Sequence, residues 1–186
     1  MTTAPGALRR ALHSLAFVAA LAATAVLQPL AQASPEPPLR GFVSGEFVMF
    51  PLNDGRLETR QSGDGRATYV GRIQAAVGGV FHPTLEPTKN LDGSLTAHHY
   101  LNILTAAGDL LQFRVLSVEV SSSGPALPDV GDTFHASGTA ELRAADGRFA
   151  GSGAYLTFTS EATVEAAEGD TRAGIFNLAF DGFITR

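Results

Sequence analysis

No cysteine occurs in the 186 residues of this chain. That excludes disulfide staples, thiolate zinc sites and a lipid-modified N-terminal cysteine. Tryptophan is also missing, and tyrosine occurs only three times. A barrel that spans a bilayer carries girdles of these residues and commonly ends on an aromatic one. Here the last residue is Arg186. Positive charge is scarce as well, with 13 Lys and Arg against 18 Asp and Glu. The charges are scattered rather than clustered, which argues against nucleic acid and anionic lipid as partners. There is no Gly-x-Ser-x-Gly elbow, no phosphate loop and no dinucleotide fingerprint. Beyond residue 33, no stretch of ten residues has the spacing of an amphipathic helix.

The first 33 residues read as a cleaved signal peptide. Arg9, Arg10 and His13 make a basic start, and Leu15 to Leu30 is apolar except at Thr24, Gln28 and Pro29. Ala31-Gln32-Ala33 then offers small residues for cleavage. Gln28-Pro29 cuts the run short of the ~20 apolar residues that a membrane span requires. The residues after Arg9-Arg10 lack the context of a twin-arginine signal, so general secretion is expected, into the periplasm or the medium. Cleavage leaves 153 residues and removes two arginines but no acid, so the net charge moves from −5 to −7. That length is enough for one domain with its own core.

Residues 34–40 form a Pro-rich, extended lead-in. From Gly41 onward the chain alternates apolar and polar residues, punctuated by glycine and aspartate turns. These turns are Asn53-Asp54-Gly55, Gly63-Asp64-Gly65, Leu91-Asp92-Gly93, Gly108-Asp109, Asp146-Gly147 and Glu168-Gly169-Asp170. The pattern predicts strands near 41–50, 56–61, 66–77, 94–104, 110–120, 133–143, 153–165 and 173–185. About eight strands joined by hairpins, in residues 41–186, point to an all-β fold: a small closed antiparallel β-barrel, in which closure removes both sheet edges.

Alternation also assigns faces. Phe134, Ala140, Leu156, Phe158, Phe176, Leu178 and Ile184 are expected inside, with Tyr69, Ile73 and Ala75 on another inner row. Glycine and alanine recur on these rows. They would either leave an open interior or let the strands coil tightly. Both rows of the first strand are apolar at Phe42, Val48 and Phe50, so its outer side is expected to be covered by residues 34–40 or by a second subunit.

The candidate chemistry lies on inner rows. Between Ala97 and Leu101, His99 is expected to point inward, while His98 and His135 point out. An imidazole in an apolar cavity can act as a base or hydrogen-bond donor, or simply be a satisfied core residue. Tyr69 is expected inward with a phenol in need of a partner. Counting by twos from Leu111, Phe113 and Val115 brings Glu119 to the same interior, unless the apolar Leu116, Val118 and Val120 mark a bulge. Tyr69, His99 and Glu119 are therefore candidate cavity residues. No metal site is expected: the histidines have no ligand spacing, and adjacent His98 and His99 face opposite ways.

Gly147-Arg148-Phe149-Ala150-Gly151-Ser152-Gly153, Ala106-Ala107-Gly108-Asp109 and Phe180-Asp181-Gly182-Phe183-Ile184 resemble motifs of the allene oxide cyclase-like and dirigent-like barrels. The resemblance implies a barrel that works without metal or organic cofactor, and a homo-oligomer, since related barrels often form trimers. It carries no catalytic residue onto this chain. Lipocalins, the rival barrel family, have a tryptophan near the first strand that is missing here. Three functions remain open. The leading one is an exported soluble barrel that binds a small apolar molecule without transforming it. The alternatives are a cofactor-free isomerase or cyclase and a structural, self-associating surface module.

Overall fold

The computed structural model describes residues 36–122 and 127–186; the leader read over 1–33 lies outside them. Eight strands follow one another: β1 (Gly41–Pro51), β2 (Leu57–Ala67), β3 (Gly71–Phe81), β4 (Tyr100–Thr105), β5 (Leu110–Ser122), β6 (Thr133–Ala145), β7 (Gly153–Glu168) and β8 (Thr171–Thr185). Each pairs with the next, and β8 pairs antiparallel with β1, so the barrel is closed. The all-β, eight-strand expectation holds.

The apolar alternation produces this closure directly. Val43, Phe47, Leu101, Ile103, Phe113, Phe134, Leu156, Phe176 and Leu178 are buried in one continuous core. Their sequence neighbours on the opposite face are mixed: Ser44, Glu46, Arg114 and Thr157 stand beside the exposed Phe42, Leu104, Tyr155 and Ile175.

The small inner residues serve coiling and close packing. A side chain at Gly41 would overlap the Phe180 ring, one at Gly138 the Phe158 ring, and one at Gly174 the Phe47 ring. Aromatic rings thus occupy the space these glycines leave. Each buried phenylalanine contributes about 2–3 kcal/mol relative to an exposed one. Ser160, on the inner row of β7, is buried with no partner for its Oγ. An unpartnered hydroxyl keeps its desolvation penalty and returns nothing. Ser160→Ala should therefore leave the melting temperature unchanged or raise it, and a clear fall on thermal denaturation would contradict the placement.

Two motifs noted in the sequence meet at one end of the barrel. Phe149, in a 3-10 turn at Gly147–Phe149, is buried there against the Tyr69 ring. The Arg148 guanidinium lies 4.7 Å over the Phe149 ring and pairs with Asp109 at 2.9 Å. Its Nη2 donates to the Val70 carbonyl at 3.2 Å. The Gly-Arg-Phe turn and the Gly108-Asp109 turn together close this end.

Several boundaries differ from the sequence reading. Gly63-Asp64-Gly65 lies within β2, where Gly63 pairs with Gly45 and Gly65 with Val43. It is a place where two backbones approach closely, not a turn. β3 runs on to Phe81, and β4 begins only at Tyr100. Residues 82–99 between them fold back through the bridges Phe81↔Pro87 and Lys89↔Leu95. Residues 36–40 do not cover β1. They run beside β8, where Leu39 N–H donates to the Gly182 carbonyl and Ile184 N–H to that of Pro37. Phe42 stays 58% exposed.

Candidate functional site

The three polar residues grouped from the sequence do not come together. His99 is buried, 3% exposed, on the row that continues inward from Leu101 and Ile103. It precedes β4 rather than lying within it, and Ala97, expected on the same row, is exposed. The ring stands edge-on to Phe81, centroids 5.1 Å apart. Its Nε2 lies 3.3 Å from Thr88 Oγ1, which itself donates to the Val80 carbonyl at 2.8 Å. Desolvation lowers the His99 pKa to about 4, partly opposed by a backbone hydrogen bond at Val80; the nearby His98 lowers it and Thr88 raises it. At neutral pH this is a neutral imidazole packed beneath residues 82–98. His98 and His135 are exposed.

Tyr69 does not point inward. β2 ends at Ala67, and Tyr69 sits in the tight turn to β3 with φ 68° and 41% of its surface exposed. Its hydroxyl accepts from Arg186 and its ring meets the Phe149 ring edge-on at 6.1 Å. The alternation that placed it inside ran straight across this turn. Glu119 does not point inward either. The register of β5 on β6 shifts between Val115 and Ser117, so Leu116 is an extra residue. Beyond it Val118 and Val120 turn toward the core, while Glu119 is exposed.

Glu119 belongs instead to a cleft of about 600 Å³ on the outer wall, formed where β1, β8, β7, β6 and β5 curve together. Its side chains form cross-strand rows. Glu119 lies opposite Ser137, Ser137 opposite Thr159, Thr159 opposite Ala179, and Ala179 opposite Phe42. In the next row Ser121 lies opposite His135, His135 opposite Glu161, Glu161 opposite Asn177, and Asn177 opposite Ser44. Ser44 Oγ donates to Asn177 Oδ1 at 2.7 Å, which leaves the amide NH₂ to face outward. His135 Nδ1 stands 3.5 Å from Glu161 Oε2. Among the described residues, no Lys or Arg lines the cleft.

A second outer cleft, about 700 Å³, lies beside Tyr100, Asn102 and Gln112. There Arg114 and Glu141 already pair with each other. Among the described residues, no three His, Asp or Glu side chains gather to hold a metal ion.

Phe42, Glu161 and Asn177 were not singled out from the sequence as site residues. The one signal is Phe42, an aromatic on the outer row of β1, for which the sequence suggests a cover by residues 34–40 or by a second subunit. Comparison with protein-family models, with curated proteins and with solved structures returned no match.

Proposed function

We propose that this chain is an exported, non-catalytic binding barrel that holds its ligand on the outer wall rather than in the barrel interior. The observation that carries this reading is the five-strand cleft, with its exposed Phe42 and its rows of polar side chains. Its volume falls within the range of small-molecule sites. The inner rows favour the same choice, because phenylalanine rings fill the space above their glycines. Scattering of His99, Tyr69 and Glu119 over the interior, a turn and the outer wall leaves no catalytic constellation among them. Export rests on the leader read from the sequence.

The test is co-sedimentation of the purified protein with insoluble envelope material from the producing cells. Wild type should sediment with the envelope. Ala179→Arg, which fills the floor of the cleft from an exposed position, should remain in the supernatant with an unchanged melting temperature. If both proteins stay soluble, or both sediment alike, the outer-wall reading falls. An apolar compound released by organic extraction of the purified protein would also overturn it, in favour of a ligand inside the barrel.

A further inference from the structure

Resting on that outer-wall reading, we infer that the cleft recognises a neutral polyhydroxylated chain, an oligosaccharide with vicinal hydroxyl pairs, through Phe42, Glu161 and Asn177. The charge of the lining narrows the choice first. Among the described residues, two carboxylates, Glu119 and Glu161, and no Lys or Arg line the cleft, so it repels polyanions. A lipid tail would offer no partner to the Glu119 carboxylate or to the outward Asn177 amide, and burying such groups without one is unfavourable. What fits is a ligand that both donates and accepts hydrogen bonds and has a small apolar face.

The arrangement of groups matches a sugar ring. Glu161 and Asn177 lie directly opposite each other on β7 and β8. Side chains so paired are about 5 Å apart at Cβ, so their tips can reach adjacent atoms of one ligand. The Ser44 hydroxyl fixes the Asn177 amide with its oxygen engaged and its nitrogen available. One member of the pair thus accepts and the other donates. A vicinal diol offers the complement: one hydroxyl donates to the Glu161 carboxylate while its neighbour accepts from the Asn177 amide. Two positions along β1 from Ser44, the exposed Phe42 ring provides a flat surface for the C–H face of the same or the next ring. Ala179, between Phe42 and Thr159, leaves the floor open. Five strands at about 4.8 Å spacing make a trough about 19 Å across, which suits a chain rather than a single ring.

The experiment is calorimetric titration of the full chain with cellohexaose, maltohexaose, mannohexaose and xylohexaose. All are 1,4-linked and carry vicinal diols on their internal rings. Laminarihexaose, 1,3-linked, has none there. At least one of the four should bind roughly tenfold more tightly than laminarihexaose, and periodate oxidation of that oligosaccharide should abolish binding. Phe42→Ala and Asn177→Ala should each weaken binding by about tenfold or more with melting temperatures little changed, since both side chains are exposed. If none of the four binds while envelope sedimentation remains sensitive to Ala179→Arg, the sugar inference falls and the outer-wall reading stands. If an oligosaccharide binds wild type and both variants equally, the sugar site is elsewhere and the inference likewise fails. Loss of Ala179-sensitive sedimentation would remove the reading on which it rests.

Discussion

His99→Leu should make the barrel less stable than wild type at pH 7.5 and more stable than wild type near pH 4. Above pH 6.5 the native imidazole is neutral, so the substitution removes a hydrogen-bonded ring from a packed site. The loss expected there is about 1–2 kcal/mol, limited because Thr88 Oγ1 keeps the Val80 carbonyl as its partner. The acid side is governed by linkage. The folded pKa of His99 is depressed to about 4 from 6.5, so between these values the unfolded chain binds the proton and the folded one does not. Stability from the neutral imidazole is complete above pH 6.5 and is lost as pH falls toward 4. The full loss is about 3–4 kcal/mol, since each tenfold difference in proton affinity between folded and unfolded chain is worth about 1.4 kcal/mol. Leucine has nothing to titrate. Carboxylates that titrate in the same range are common to both proteins and cancel in the difference. Urea denaturation of both at pH 7.5, 5.5 and 4.5 measures that difference. Parallel profiles would show that the imidazole is solvated and that His99 is not buried.

Gly63→Val should prevent a stable barrel from forming, and Gly63→Ala should cost about 3 kcal/mol or more. The reason lies in the pairing of β1 with β2. A side chain at Gly63 would overlap the Ser44 carbonyl oxygen, one at Gly45 the Ser62 carbonyl, and one at Gly65 the Phe42 carbonyl. These obstructions are backbone atoms of a hydrogen-bonded ladder, which cannot rotate away as a flexible side chain can. The β1–β2 corner must then open, and with it the closure of the sheet. Gly93 is the control. It sits on an exposed turn with φ 82° and nothing within 4 Å of an added Cβ. Gly93→Ala should cost only the left-handed backbone strain, about 1–2 kcal/mol. Chemical denaturation of the two alanine variants decides the matter. A Gly63→Ala protein no less stable than Gly93→Ala would mean that the close approach of β1 and β2 does not exist.

These two positions differ in how legible they were. His99 was readable because it falls two positions before Leu101 on the inner row, although β4 begins only at Tyr100 and Ala97, the other neighbour that placed it, is exposed. Its neighbours Phe81 and Thr88 come from elsewhere in the chain, so the sequence placed the ring without revealing what surrounds it. Gly63 was misread because a Gly-Asp-Gly sequence is equally good as a turn and as a coiled strand. Only the partner strand, with Gly45 opposite, decides between them. Tyr69 and Glu119 failed for a related reason. Each was placed by counting twos across an interruption, a turn in one case and the extra residue Leu116 in the other. The turn at Tyr69 leaves no mark that alternation can register, whereas the apolar Leu116, Val118 and Val120 do signal a bulge, and the pairing with β6 shows that the register shifts there.

The sequence by itself determined the class of the fold and the inner faces of β6, β7 and β8. Those strands are long and bounded by turn residues, so period-two alternation over most of their length is a property of the chain alone. The tertiary structure decided how tightly the barrel coils, which glycines are covered by phenylalanine rings, and where its outer wall is concave. It also decided that Phe42, from the start of the barrel, lies across from Ala179 near its end. Glu161 and Asn177 face each other only because β7 and β8 pair in one register. A cross-strand row is made of residues distant in sequence, joined by hydrogen bonds that exist only once the sheet has closed, so no window of the sequence contains it.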